Sequence, residues 1–146
     1  MKKFIPILLL SISIQGQVIK AKNEGGVLHV PVSVNGVLKI QMMIDTGAAE
    51  CCLPPCIANT LMKTNTLIIP IHLLPNKIYS LADGSTQENR RFMIKSLKIG
   101  NETIYNVECS VSNNDNSPML LGVSALKKLK NIRLNYKKNT VILKNK

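Results

Sequence analysis

The sequence predicts a mostly-β fold, a closed sandwich or barrel, from three observations. Short apolar or alternating runs recur along the chain, separated by turn residues. One segment only, Ser124–Leu129, has convincing helical spacing. The 146 residues are 45% hydrophobic and 18% charged, enough to fill one core and too few for a second domain. That length also excludes an eight-stranded α/β barrel or a two-domain dehydrogenase.

The elements follow in order. Val27–Val34 alternates as a strand. Asn35-Gly36 supplies a two-residue hairpin turn, since both residues tolerate positive φ. Val37–Ile44 is the return strand, with Leu38, Ile40, Met42 and Ile44 on one face and Lys39 and Gln41 on the other. Ala49–Leu53 is a short strand stopped by Pro54-Pro55, and Cys56–Met62 is a helical turn or two. Leu67–Leu73 is apolar and β-branched, with Pro70 marking an edge or bend.

Ile78–Ala82 and Arg91–Ile99 are strands around a polar hairpin tip, Asp83–Gln87. Gly100-Asn101 turns into the strand Thr103–Val111, and residues 112–118 form a polar loop. Met119–Leu121 is a short strand ending in Gly122. Ser124 is placed to cap the helix that follows. Ile132–Tyr136 and Val141–Leu143 form a last hairpin. No internal repeat or linker interrupts this series.

The N-terminus reads as an address. Met1-Lys2-Lys3 is followed by the apolar run Phe4–Ile14, shorter than the ~20 residues of a membrane span. Residues 1–21 are expected to be a signal peptide, or else an N-terminal membrane anchor, with cleavage after Gly16 or Ala21. The domain is then 22–146, exported to the periplasm or secreted. Membrane association would come through an uncleaved N-terminus.

In an oxidising compartment Cys51, Cys52, Cys56 and Cys109 permit disulfides. Cys51 and Cys52 are adjacent and do not suit one another. A bridge from one of the trio to Cys109 is one reading; thiols that sit inert in the core are the other. With His29 and His72 isolated, the cysteines lack paired metal-ligand spacing, so no metal is expected. The net charge of +11 suits anionic partners, but the lysines are scattered and there are only 3 Tyr, 2 Phe and no Trp. Stacking surfaces are therefore scarce, and nucleic acid is not an expected partner.

The chemistry-bearing stretch is Met42-Met-Ile-Asp45-Thr46-Gly47-Ala48. A carboxylate at the end of an apolar strand is costly unless hydrogen-bonded. Thr46 offers a hydroxyl, Gly47 an unhindered amide and Ala48 space. Two further blocks lie downstream, Leu81-Ala82-Asp83-Gly84-Ser85 and Met119-Leu-Leu121-Gly122-Val-Ser-Ala-Leu126.

In order and spacing these three blocks resemble the retropepsin-like aspartic proteases, especially small bacterial exported or membrane-anchored members. The resemblance spans roughly residues 27–144. It implies a closed acid-protease barrel with one short C-terminal helix, active as a two-fold homodimer. It implies an aspartic endopeptidase acting on peptide or protein substrates. Two Asp45 carboxylates, one from each subunit, would share a proton and activate a water, with no acyl-enzyme, metal or cofactor.

Only Asp45 heads such a triplet; Asp83 and Asp115 fit turns. By the same resemblance Thr46 would bond across the dimer, and Gly47 would contact the carboxylate through its amide. Ala82, Asp83 and Gly84 would belong to a flap over bound peptide. Leu121 and Gly122 would support the site, and the terminal strands, including Val141–Leu143, would help close the dimer. The sequence departs from the pattern at Glu50-Cys51-Cys52 and in its polar flap.

Two rival readings remain at this level. Gly122-Val-Ser124 follows a strand like part of a nucleophile elbow, but the second glycine is missing. The other rival is a non-catalytic module of the same fold that binds peptide or a partner in the periplasm.

Overall fold

The computed structural model describes residues 16–144. Most of the expected address segment lies outside them. Eleven strands and two helices run in the order β1 Gln17–Lys20, β2 Lys22–Glu24, β3 Val27–Val34, β4 Leu38–Ile44, β5 Cys51–Leu53, α1 Pro55–Lys63, β6 Leu73–Ser80, β7 Thr86–Ile99, β8 Glu102–Val111, β9 Leu120–Leu121, α2 Val123–Leu126, β10 Ile132–Asn135 and β11 Thr140–Leu143.

The mostly-β expectation holds, because alternation decides which face each strand buries. In β3, Leu28, Val30, Val32 and Val34 are buried while Pro31 is exposed. In β4, Met42 and Ile44 are buried, Leu38 and Ile40 half-buried, and Lys39 and Gln41 exposed. The β3–β4 turn forms as expected, with Asn35 and Gly36 both at positive φ (49° and 71°). The Asn35 side chain also ties the turn to the chain beyond it. Its Nδ2 donates to the Thr66 carbonyl at 3.2 Å, and its Oδ1 accepts the Ser96 N–H at 3.1 Å.

The large sheet has the order β2-β3-β4-β9-β5-β8-β7-β6. A further pairing of β3 with β7, at Ser33–Lys98 and Val34–Leu97, brings its two halves back together. The pairing important for the site is β4 with β9. The two run parallel, with Met43 opposite Leu120 and Ile44 opposite Leu121. β9 is then flanked on its other side by β5 through Cys52 and Leu120. A two-residue strand thus reaches the centre of the sheet and meets both sides of the Asp45 loop.

Several elements differ from the sequence reading. The longer helix is α1, not the C-terminal one. Pro54 is its N-cap and Pro55 starts it, where a missing N–H costs nothing. Asp115, in its own turn, accepts the Cys56 N–H at 2.7 Å and so satisfies the first turn of α1 from a distant loop. α2 is only Val123–Leu126, and its N-cap is Gly122 rather than Ser124. Of the two readings of the apolar run 67–72, edge strand or bend, the structure has the bend. Pro70 has no N–H to give a ladder. Of this run Leu67 enters the core, whereas Ile68, Ile69 and Ile71 stay exposed.

β1 and β2 lie in sequence with too little apolar alternation to announce them. β1 pairs with β11, Gln17 opposite Leu143, and buries Ile19. Residues 17–21 thus pack within the fold, upstream of the domain start expected at 22.

The small sheet has the order β1-β11-β10, so β11 uses both its edges inside the subunit. Val141 and Leu143 are 0% and 2% exposed. The outer edges of this sheet of terminal strands belong to β1 and β10.

Candidate functional site

The site is built where β4 ends. Met42 and Ile44 anchor the strand in the core, and the next residue, Asp45, emerges half-buried. Its N–H donates to the Leu121 carbonyl at 3.2 Å, extending the β4–β9 ladder by one bond. Its Oδ1 accepts the Gly47 N–H at 2.8 Å. The carboxylate is therefore oriented by its own loop, through the amide the sequence singled out. Thr46 and Gly47 are exposed and Ala48 is half-buried.

The second wall of the loop is the β9–α2 junction. Leu121 is fully buried. The Val123 N–H donates to the Ala48 carbonyl at 2.8 Å, and the Ser124 N–H to Ala49 at 3.0 Å. This approach is possible because residue 122 has no side chain. A Cβ there would sit 2.1 Å from the Glu50 carbonyl oxygen and 2.8 Å from that of Ala48. Leu121 and Gly122 are thus in direct contact with the Asp45 loop.

Ser124 has a different task from either sequence reading. It is 4% exposed, and its Oγ accepts the Cys51 N–H at 2.9 Å while donating to the Glu108 carbonyl at 2.8 Å. It bridges β5 and β8 as a buried linker, with both hydrogen-bonding roles of the hydroxyl in use.

Ala82, Asp83 and Gly84 occupy the exposed tip of the β6–β7 hairpin. The Leu81 N–H donates to the Ser85 carbonyl at 2.8 Å, and the Gly84 N–H to Leu81 at 3.0 Å. Asp83 Oδ1 accepts both the Ser85 N–H and its hydroxyl, at 2.9 and 2.6 Å. Those bonds hold the Asp83 carboxyl below its usual range. Asp83 is the turn residue its sequence suggests, bonded within the tip.

The hairpin meets the Asp45 loop through Glu50. Glu50 has a side chain only 3% exposed. Its Oε1 accepts Lys77 Nζ at 3.1 Å and Arg91 Nη2 at 2.7 Å. Its Oε2 accepts the Tyr79 hydroxyl at 2.7 Å and Arg91 Nε at 2.8 Å. Burial alone would push the Glu50 carboxyl up. The bonds from Arg91, Tyr79 and Lys77 outweigh it and hold the group at about 2. The same cluster pushes the Tyr79 phenol up, by burial and by the Glu50 carboxylate. The sequence shows Glu50 only as an odd carboxylate beside Cys51-Cys52; its partners lie on strands far along the chain.

The four cysteines are free thiols, so the bridge to Cys109 does not form and the inert-thiol reading stands. Cys51 and Cys109 oppose one another in the parallel β5–β8 ladder, both fully buried. Burial raises both thiols, Cys109 well above its ordinary value, so they act as inert core residues. Among the described residues no three His, Cys, Asp or Glu side chains gather as a metal site would.

A loop Asp-Thr-Gly, a β9–α2 wall that needs glycine and a hairpin with an exposed tip coincide with what a comparison with protein families finds. Residues 30–128 match the family described as "gag-polyprotein putative aspartyl protease". The chain belongs to the retropepsin-like aspartic protease family. Among solved structures it is similar to a retropepsin-like aspartic protease from Rickettsia conorii. The two are 27% identical over 87% of each chain, with a TM-score of 0.59. No curated protein matches the sequence. The matched span contains Asp45, the hairpin and the β9–α2 junction, so all three blocks that carried the resemblance fall inside the family's region.

Proposed function

We propose that this chain is an aspartic endopeptidase whose reacting groups are two Asp45 carboxylates, one from each subunit of a two-fold homodimer. The observation that carries the reading is the hold on Asp45. It stands at the exit of a buried strand, with one carboxylate oxygen on the Gly47 amide at 2.8 Å. A single chain supplies one such aspartate, and a second copy supplies the other.

The chemistry follows from the pairing. Two carboxylates facing one another do not both ionise, so the dyad holds one proton between them and titrates as a unit. The ionised member takes a proton from a water lying between them. The protonated member gives its proton to the oxygen of the peptide carbonyl as the water oxygen bonds to carbon. The tetrahedral diol then breaks its C–N bond. The carboxyl that took the water proton gives it to the amine nitrogen. The other carboxylate takes a proton from a diol hydroxyl as the C=O forms, and the dyad again holds one proton. Ala82, Asp83 and Gly84 cover the bound peptide and exclude bulk water, and Thr46 braces the two loops across the axis.

The basic start and apolar run Phe4–Ile14 support a location outside the cytoplasm, with the protein released by cleavage after Gly16 or held by its N-terminal segment. Cleavage there leaves β1 whole, whereas cleavage after Ala21 would remove a strand that pairs with β11.

The test is cleavage of a mixed peptide library by wild type and Asp45→Asn, from pH 4 to 8, at a concentration where dimers form. Cuts made by wild type and missing in the variant support the dyad. Silence from both, with a dimer in the tube, favours a peptide-binding module. Equal cutting by both removes Asp45 from the chemistry.

A further inference from the structure

Glu50 is a buried carboxylate that the proposed chemistry does not use. Such a group is costly to bury and persists only when its oxygens are fully paired. Here the pairing is complete and one-sided. All four donor contacts come from the β6–β7 hairpin: Lys77 and Tyr79 on one strand, Arg91 on the other. Arg91 grips with two parallel N–H groups, the geometry that fixes direction as well as distance. It is itself held by the Pro75 carbonyl at 3.2 Å and by Glu108 at 2.9 Å.

The position of this cluster gives it meaning. Glu50 ends the loop that begins with Asp45. Arg91 lies at the base of the hairpin, opposite Leu74, Lys77 lies midway, opposite Asn89, and Tyr79 lies opposite Gln87, next to the pair that closes the tip. β6 is the outermost strand of the large sheet, and its residues are mostly exposed. β7 is held by β8 from Arg91–Ser110 onward, whereas β6, at the sheet edge, is tied to the loop by the Lys77 and Tyr79 bonds to Glu50. A hairpin that covers a substrate works only if its pivot has a fixed place relative to the reacting atoms, since small misplacements are costly in rate.

We propose that Glu50 is a positioning residue: through Arg91, Lys77 and Tyr79 it pins both strands of the flap hairpin to the Asp45 loop and so sets how the tip meets a peptide. This rests on the endopeptidase reading for its purpose, though not for its geometry.

The experiment uses the full chain. Amide hydrogen exchange is followed in wild type, Glu50→Gln, Arg91→Lys and Tyr79→Phe, and again with Asp45→Asn added to each. Peptide cleavage is measured on the forms that keep Asp45. Exchange over residues 77–91 is expected to quicken about tenfold or more in Glu50→Gln, as local opening becomes easier. Arg91→Lys keeps the charge but loses the fork, and falls between Glu50→Gln and wild type. β10 and β11 keep wild-type exchange.

In cleavage, KM rises about tenfold with kcat within about threefold, the pattern of lost substrate capture. If Glu50→Gln does not fold, Tyr79→Phe, which removes one donor, carries the comparison. Unchanged exchange over 77–91 overturns the proposal, and so does an equal rise in β10–β11, which would mean general loosening. Selective loosening in a protein that cuts nothing, wild type included, upholds the coupling and removes the endopeptidase reading instead.

Discussion

Gly122→Ala should be among the most damaging single-methyl changes in the chain. A Cβ at that position would lie 2.1 Å from the Glu50 carbonyl oxygen, 2.5 Å from its carbonyl carbon and 2.8 Å from the Ala48 oxygen. All three are backbone atoms, so no side chain can rotate away. The β9–α2 junction must instead withdraw from the Asp45 loop. Overpacking of this kind costs about 1–3 kcal/mol. Withdrawal also stretches the Val123–Ala48 and Ser124–Ala49 bonds, now 2.8 and 3.0 Å. Each is worth about 1 kcal/mol. The sum, about 3–5 kcal/mol, is a large part of the about 5–15 kcal/mol that holds a domain folded. Urea unfolding followed by far-ultraviolet circular dichroism, at one fixed protein concentration, reads it directly. A variant within about 0.5 kcal/mol of wild type would refute the close approach on which this site geometry depends.

Further outcomes follow from the same structure. Glu50 is held at about 2 against an ordinary 4.5, so its stabilisation is fully present above pH 4.5 and is lost as pH falls toward 2. At about 1.4 kcal/mol per pKa unit that is about 3 kcal/mol. Glu50→Gln should flatten the loss of urea stability between pH 6 and 3, and an unaltered slope would count against the ion cluster. Leu143→Ala, at 2% exposure, should cost about 2–5 kcal/mol. Val18→Ser, at 62% exposure on the neighbouring strand, should stay within about 0.5 kcal/mol. Equal costs in thermal or urea unfolding would contradict the central place of β11.

The sequence made legible those parts whose cause is local. β3 and β4 follow from strict alternation and from Asn35-Gly36, whose backbone needs are met within the turn itself. The Asp45–Gly47 contact is likewise local, two residues apart. What escaped depends on distant partners. β1 is a strand because β11 lies beside it, and its own four residues announce little.

Ser124 looked like a cap or a failed nucleophile because its true partners, Cys51 and Glu108, lie far off in sequence. Glu50 looked like a departure from the family pattern, since Lys77, Tyr79 and Arg91 meet it only after the hairpin folds back. The run 67–72 left edge strand and bend both open. Its composition is that of a strand, but a proline inside it leaves the ladder short of a donor.

The central claim is that two copies of Asp45 make one active centre. Mixing wild-type and Asp45→Asn subunits in varied ratio, at constant total protein and with time to exchange partners, tests it most directly. If each centre needs both aspartates, peptide-cleaving activity falls as the square of the wild-type fraction. Activity falling in simple proportion to that fraction would mean that one Asp45 suffices, and the shared dyad would be wrong.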